Sequence, residues 1–161
     1  MADDRPDIVS RVFALKLNAL LTDITKKNIL GRVKSNLHVI EFQKCGLPHA
    51  HILIILHPDD KPRLPEDIDN LVCAELPDRN AEPDLFKSVT NTLLHGPCGT
   101  ADITCVCTKD GKCQRNYSRP FQTETSLVDY SYSSYRHRND GHFFERNGYQ
   151  FDNRHIVPYS L

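Results

Sequence analysis

The sequence predicts an α+β fold: a central antiparallel sheet with flanking helices, then a loop-rich, cysteine-containing C-terminal half. Three observations predict it. The first residues repeat apolar side chains at helical spacing, two strand-like segments follow across a Gly/Pro turn, and periodicity then fades where the cysteines gather. With 161 residues the chain is long enough for about one domain with an ordinary core, and 1–161 reads as a single domain.

Residues 6–27 read as an amphipathic helix. Ile8, Val12, Leu15 and Ala19 recur at helical spacing, joined by Val9, Phe13, Leu17, Leu20 and Ile24. Pro6 suits a first turn, Lys26 and Lys27 suit the C-terminal end of the macrodipole, and Gly31 breaks the pattern. Residues 32–43 read as a strand with Leu37, Val39, Glu41 and Gln43 on one face and Ile40 and Phe42 on the other. Residues 49–57 are its hairpin partner, apolar on both faces and so expected at the centre of a covered sheet. Prolines and acids crowd 58–83, a loop with a short helix near 66–72. Residues 84–95 form a second helix, apolar at Leu85, Phe86, Val89, Leu93 and Leu94 and stopped by Gly96-Pro97. Further on, 127–140 and 142–151 read as a hairpin about Gly141 or Gly148, and Tyr132 and Tyr135 as part of a loop.

Composition narrows the function. The net charge of −1 gives no overall basic field, so any nucleic-acid binding must come from a local patch. No apolar run approaches the roughly 18 residues of a membrane span. The acidic start, Met1 to Asp7, lacks a secretory core, so an intracellular protein without membrane partners is expected. Six cysteines, at 45, 73, 98, 105, 107 and 113, then point to metal or to reduced thiols rather than to a disulfide framework.

The chemistry concentrates in Glu41-Phe42-Gln43-Lys44-Cys45-Gly46-Leu47-Pro48-His49-Ala50-His51. Alternate side chains of a strand share a face, so His49 and His51 point the same way. Pairing about Gly46 would set Glu41 opposite His51, with Cβ atoms roughly 5 Å apart. Two imidazoles and a carboxylate suit a divalent cation. The plainer alternative is a pair of histidines beside a tight turn. Metallo-β-lactamase-like hydrolases continue His-x-His with an Asp-His pair, which Ile52-Leu53-Ile54 does not supply. An amidohydrolase barrel cannot close with 161 residues.

A second donor set is His95-x2-Cys98-x8-Cys107-x5-Cys113, with Cys105 a spare for Cys107. A tetrahedral structural zinc would tie together a subregion, 95–113, that lacks apolar residues for a core; reduced structural cysteines are the alternative. Lys109, Lys112, Arg115 and Arg119, interleaved with Tyr117 and Phe121, fit single-stranded DNA through phosphate contacts and stacking, and Arg136, His137 and Arg138 extend that surface. An ordinary solvated loop is the alternative there.

The run from Ile40 to Leu53 closely resembles the signature of Helitron transposon proteins, within their helicase-like Rep domain. Further elements share the likeness: Pro6–Leu30, His95-Gly96-Pro97-Cys98-Gly99, Asp110-Gly111-Lys112-Cys113, Arg119-Pro120-Phe121, Asp152-Asn153-Arg154 and Val157-Pro158-Tyr159. The resemblance implies an HUH (His-hydrophobic-His) endonuclease of a rolling-circle transposable element. In such enzymes a metal polarises the scissile phosphate of single-stranded DNA and a tyrosine attacks it. It implies that His49 and His51 are metal ligands for Mg or Mn, with Glu41 or Gln43 as the third. Glu41 stands eight residues before His49, the spacing of small viral initiators.

The family's catalytic tyrosines lie on a helix after the Asn-Arg-x-x-Val-Pro-Tyr element, so the nucleophile is expected beyond Leu161. None of the six tyrosines here has the required Tyr-x-x-x-Tyr spacing, and the helicase that normally follows in the same polypeptide, with its Walker motif, is missing. Cys45 stands where the family usually carries Arg. The resemblance thus implies a fragment of a nuclear rolling-circle transposase, a DNA nicking and strand-transfer domain. Two alternatives stand beside it: a non-catalytic remnant that binds metal and single-stranded DNA, and a zinc-stabilised structural module.

Overall fold

The computed structural model describes residues 5–42, 47–128 and 132–160. The chain divides into two compact units, Met1–Lys61 and Pro62–Leu161. Its class is α+β, as the sequence predicts. The antiparallel pairing is delivered, among the described residues, as five two-stranded ladders rather than one broad sheet.

In the first unit, α1 runs from Pro6 to Lys26. Leu17 and Ile24 are buried and Val9, Phe13 and Leu21 half-buried, a stripe at helical spacing, while Ile8, Val12, Leu15 and Leu20 are exposed. The buried stripe follows the second group of apolar residues read in the sequence, with Leu21 in the place of Leu20. α1 lies against β2, Pro48–Leu56, which pairs antiparallel with β1, Val33–Phe42. Along β2 burial alternates: Pro48, Ala50, Ile52, Ile54 and Leu56 are half-buried, and His49, His51, Leu53 and Ile55 are exposed. The expectation of a strand covered on both faces is corrected here. Among the described residues no further strand pairs with the hairpin, one face of β2 is exposed, and β1 is exposed at every position after Val33.

The open end of the hairpin is latched by Arg32. Its backbone N–H donates to Asp60 at 2.6 Å and its guanidinium to both Asp60 oxygens at 2.9 and 2.7 Å. These bonds hold the Asp60 carboxyl well below the usual carboxylate range. Gly31 makes the approach possible: its φ is +102°, and a Cβ there would sit 3.0 Å from that of Asp60.

The second unit holds α2 (Pro65–Asp69), β3 (Val72–Cys73), α3 (Pro83–Thr92), β4 (Thr108–Lys109), β5 (Lys112–Cys113), β6 (Ser126–Val128), β7 (Tyr132–Ser134), β8 (Phe144–Arg146), β9 (Tyr149–Phe151) and β10 (Tyr159–Ser160). Its core gathers Val89, Ile156 and Tyr159, with Cys73, Leu76, Leu85, Leu93 and Leu94 packed around them. β10 pairs with β3, and Val157 N–H donates to Leu93 O at 2.8 Å, which ties the last residues to the end of α3. Two of the hairpins turn on Asp110-Gly111 and Asn147-Gly148, all four residues at positive φ as a two-residue turn of the favoured hand requires. The Gly148 alternative thus holds, and β6 pairs with β7 instead of with 142–151. Tyr132 accordingly begins a strand rather than lying in a loop.

Candidate functional site

On the open face of the β1–β2 hairpin, His49 lies opposite Glu41 and His51 opposite Val39. The predicted pairing of Glu41 with His51 is displaced by two residues, with Phe42–Pro48 as the last pair of the ladder. A two-residue displacement keeps every side chain on its predicted face, since strand side chains repeat every second residue. Glu41 still reaches diagonally to His51, Oε2 to Nε2, at 3.0 Å. The two side chains are 57% and 70% exposed, so this carboxylate and both imidazoles stand open to solvent beside exposed Leu37, Val39 and Leu53. Gln43 lies outside the described residues.

The other donor set is drawn together. His95 follows α3, Cys98 follows the Gly96-Pro97 turn, Cys107 precedes β4 and Cys113 ends β5. One ligand atom from each of His95, Cys98, Cys107 and Cys113 lies within 4.8 Å of all the others, the one such converged group of His, Cys, Asp or Glu among the described residues. His95 Nε2 is 3.2 Å from Cys113 Sγ and 3.4 Å from Cys107 Sγ, and Cys107 and Cys113 sulfurs are 3.9 Å apart. Cys105 Sγ touches Cys107 Sγ at 3.5 Å but is not in that group. This group could hold a metal ion.

Its surroundings orient the donors. His95 N–H donates to His155 O at 2.8 Å, and the His95 ring stacks on Tyr117 with centroids 4.1 Å apart. Burial first, then the charges of Arg115 and Arg119 and the nearby His155, lower the His95 imidazole pKa, which favours the neutral form that can ligate. Burial raises the Cys98 thiol, and burial with neighbouring thiols pushes Cys107 up to about 12. Burial opposes the Cys113 thiolate as well, but backbone N–H groups of Tyr117 and Arg115 stabilise it and bring its pKa below the ordinary value. A cavity of about 640 Å³ borders the cluster, lined by His95, Cys98 and Cys113 together with Lys112, Tyr149 and His155, which leaves a path for an ion to enter.

The basic residues are used unequally. Lys109 and Lys112 face each other across the β4–β5 ladder, both exposed, and Arg115 is exposed just beyond. Arg119 lies over the Tyr117 ring at 4.9 Å, and Arg154 over Phe121 at 4.4 Å, so both aromatic rings already carry a stacked partner. The predicted extension through 136–138 is corrected. Arg136 bonds Asp69 at 3.0 Å, Arg138 grips Glu75 at 2.6–3.1 Å, and His137 is buried against the carbonyls of Ala74 and Asn153. Those three residues brace the second unit, His137 buried and the two arginines paired with its carboxylates. Tyr159 is buried too, its hydroxyl donating to Glu75 O at 3.1 Å, and burial raises its pKa.

The sequence reading missed the β4–β5 hairpin that presents the lysines, although Asp110-Gly111 is a hairpin signal in its own right. It also missed Asn153 as a structural hub. Among the described residues no helix is long and apolar enough to cross a membrane. No curated protein matches the chain. Residues 1–54 match the family model described as the Helitron helicase-like domain at the N-terminus; the similar elements between His95 and Tyr159 lie outside the matched residues. The match spans α1, β1 and most of β2, including Glu41, His49 and His51, so this part of the chain is similar to the Helitron helicase-like N-terminal domain.

Proposed function

We propose that the first unit is the cation-binding part of a DNA-nicking domain derived from a Helitron rolling-circle transposase. One observation carries the reading: Glu41, His49 and His51 share one uncovered strand face, with Glu41 opposite His49 and 3.0 Å from His51. A carboxylate and two imidazoles there bind Mg or Mn, whose charge neutralises and polarises a phosphate of single-stranded DNA. Gln43, read from the sequence as sharing that strand face, is the alternative third ligand. The exposed Lys109, Lys112 and Arg115, with Arg119, add phosphate contacts. Strand transfer requires a tyrosine, and the reading draws it from a helix after Tyr159 rather than from the six tyrosines here; a helicase in the same polypeptide and a nuclear location belong to it as well. The non-catalytic alternative keeps the cation and the DNA and does not cut.

Manganese titration of the full chain, followed by electron paramagnetic resonance, tests the site. Binding that disappears in His49→Ala/His51→Ala and persists in Cys98→Ala supports it. Binding unchanged by the histidine substitutions sinks it. Incubation with single-stranded DNA and manganese, read by a denaturing gel, then separates nicking from binding alone.

A further inference from the structure

We propose that His95, Cys98, Cys107 and Cys113 bind a zinc ion in a tetrahedral site of one nitrogen and three sulfurs, with Cys105 outside the ligand set. The four donors converge within 4.8 Å. With Zn–S near 2.3 Å and Zn–N near 2.0 Å, a tetrahedron has S···S edges of about 3.8 Å and S···N edges of about 3.5 Å. The observed separations, 3.9 Å between the Cys107 and Cys113 sulfurs and 3.2 and 3.4 Å from His95 Nε2, are the edges of such a polyhedron. Three sulfurs and an imidazole select zinc over the oxygen-seeking Mg or Mn of the hairpin.

The loop has need of the ion. Between Cys98 and Cys113 the two large aliphatic side chains, Ile103 and Val106, are 73% and 104% exposed, so no apolar packing from them holds the segment. What surrounds the donors is already ordered: Tyr117 stacks on the His95 ring, His155 O fixes the His95 backbone, and Arg115 N–H donates to Cys113 Sγ at 3.3 Å. Cys105 contacts one ligand sulfur from outside the converged group.

The test is metal analysis of the full chain, purified and reconstituted with zinc, alongside cobalt substitution. About one zinc per chain is expected in the parent, in Cys105→Ser and in His49→Ala/His51→Ala, and below roughly a tenth of that in Cys113→Ser. Cobalt should give the intense visible bands of a tetrahedral site with thiolate charge transfer worth three sulfurs. That spectrum, taken on the parent chain, does not depend on the variants folding. No zinc after reconstitution, an octahedral cobalt spectrum, or equal zinc loss in Cys105→Ser and Cys107→Ser would each overturn the assignment.

Discussion

Glu41 does more for the hairpin site than its place opposite His49 suggests, because its carboxylate reaches the second imidazole instead. Ion pairs this exposed contribute little to stability, so the contact is a matter of chemistry rather than of folding. Glu41→Gln should therefore leave thermal unfolding unchanged and weaken manganese binding by about tenfold or more, read by titration; unchanged affinity would remove Glu41 from the ligand set and favour Gln43. Asn153 is the opposite kind of residue. Fully buried, it accepts from Leu76 N–H at 2.8 Å and donates to Arg138 O at 2.8 Å and to Asp140 at 3.1 Å. Asn153→Ala strands these partners and should cost about 3 kcal/mol in chemical denaturation.

At the scale of elements, the β1–β2 hairpin depends on how its open end is closed. Gly31→Ala places a side chain at φ +102° and against Asp60, and should cost about 1–2 kcal/mol, visible as faster amide exchange along β1 and β2. The β4–β5 hairpin poses a different question, since Lys109 directly opposite Lys112 sets like charges side by side. A polyanion relieves that repulsion. Replacing both lysines by Gln should lower the slope of log affinity for single-stranded DNA against log salt by about 1.4, in fluorescence anisotropy. A slope that does not move would show that this turn makes no phosphate contact. Asp110-Gly111 and Asn147-Gly148 both carry a hairpin signal, of which only the turn at Gly148 is read as an alternative from the sequence, whereas the short β3–β10 pairing joins residues too distant in sequence for any local pattern to announce.

Across the molecule the two units rely on different forces. The first is a helix on a hairpin with much exposed apolar surface; the second is braced by buried polar contacts around Glu75, Asn153 and His137. Burial alone would raise the Glu75 pKa, but Arg138 and Arg136 bring it below the ordinary carboxylate value. A folded-state pKa below the unfolded one gives stability that is full above the unfolded value, near 4.3, and is lost as pH falls through the folded value. Thermal unfolding followed from pH 6 to pH 3 should show the parent losing stability over that range and Glu75→Gln losing less. Equal losses would mean that other carboxylates govern acid unfolding.

The sequence by itself determined what is local and periodic: the α+β class, the two long helices, the strand faces of the hairpin, and the resemblance that residues 40–53 carry. It also named the four donors that converge, with reduced structural cysteines as the alternative. Only the tertiary structure decided the register that seats Glu41 opposite His49, the side of α1 that is buried, and the fate of the arginines. Arg136 and Arg138 read as a basic surface in sequence because a charge pattern cannot show its partners. Asp69 and Glu75, more than sixty residues earlier, supply them, and such pairing exists only once the chain has folded back on itself.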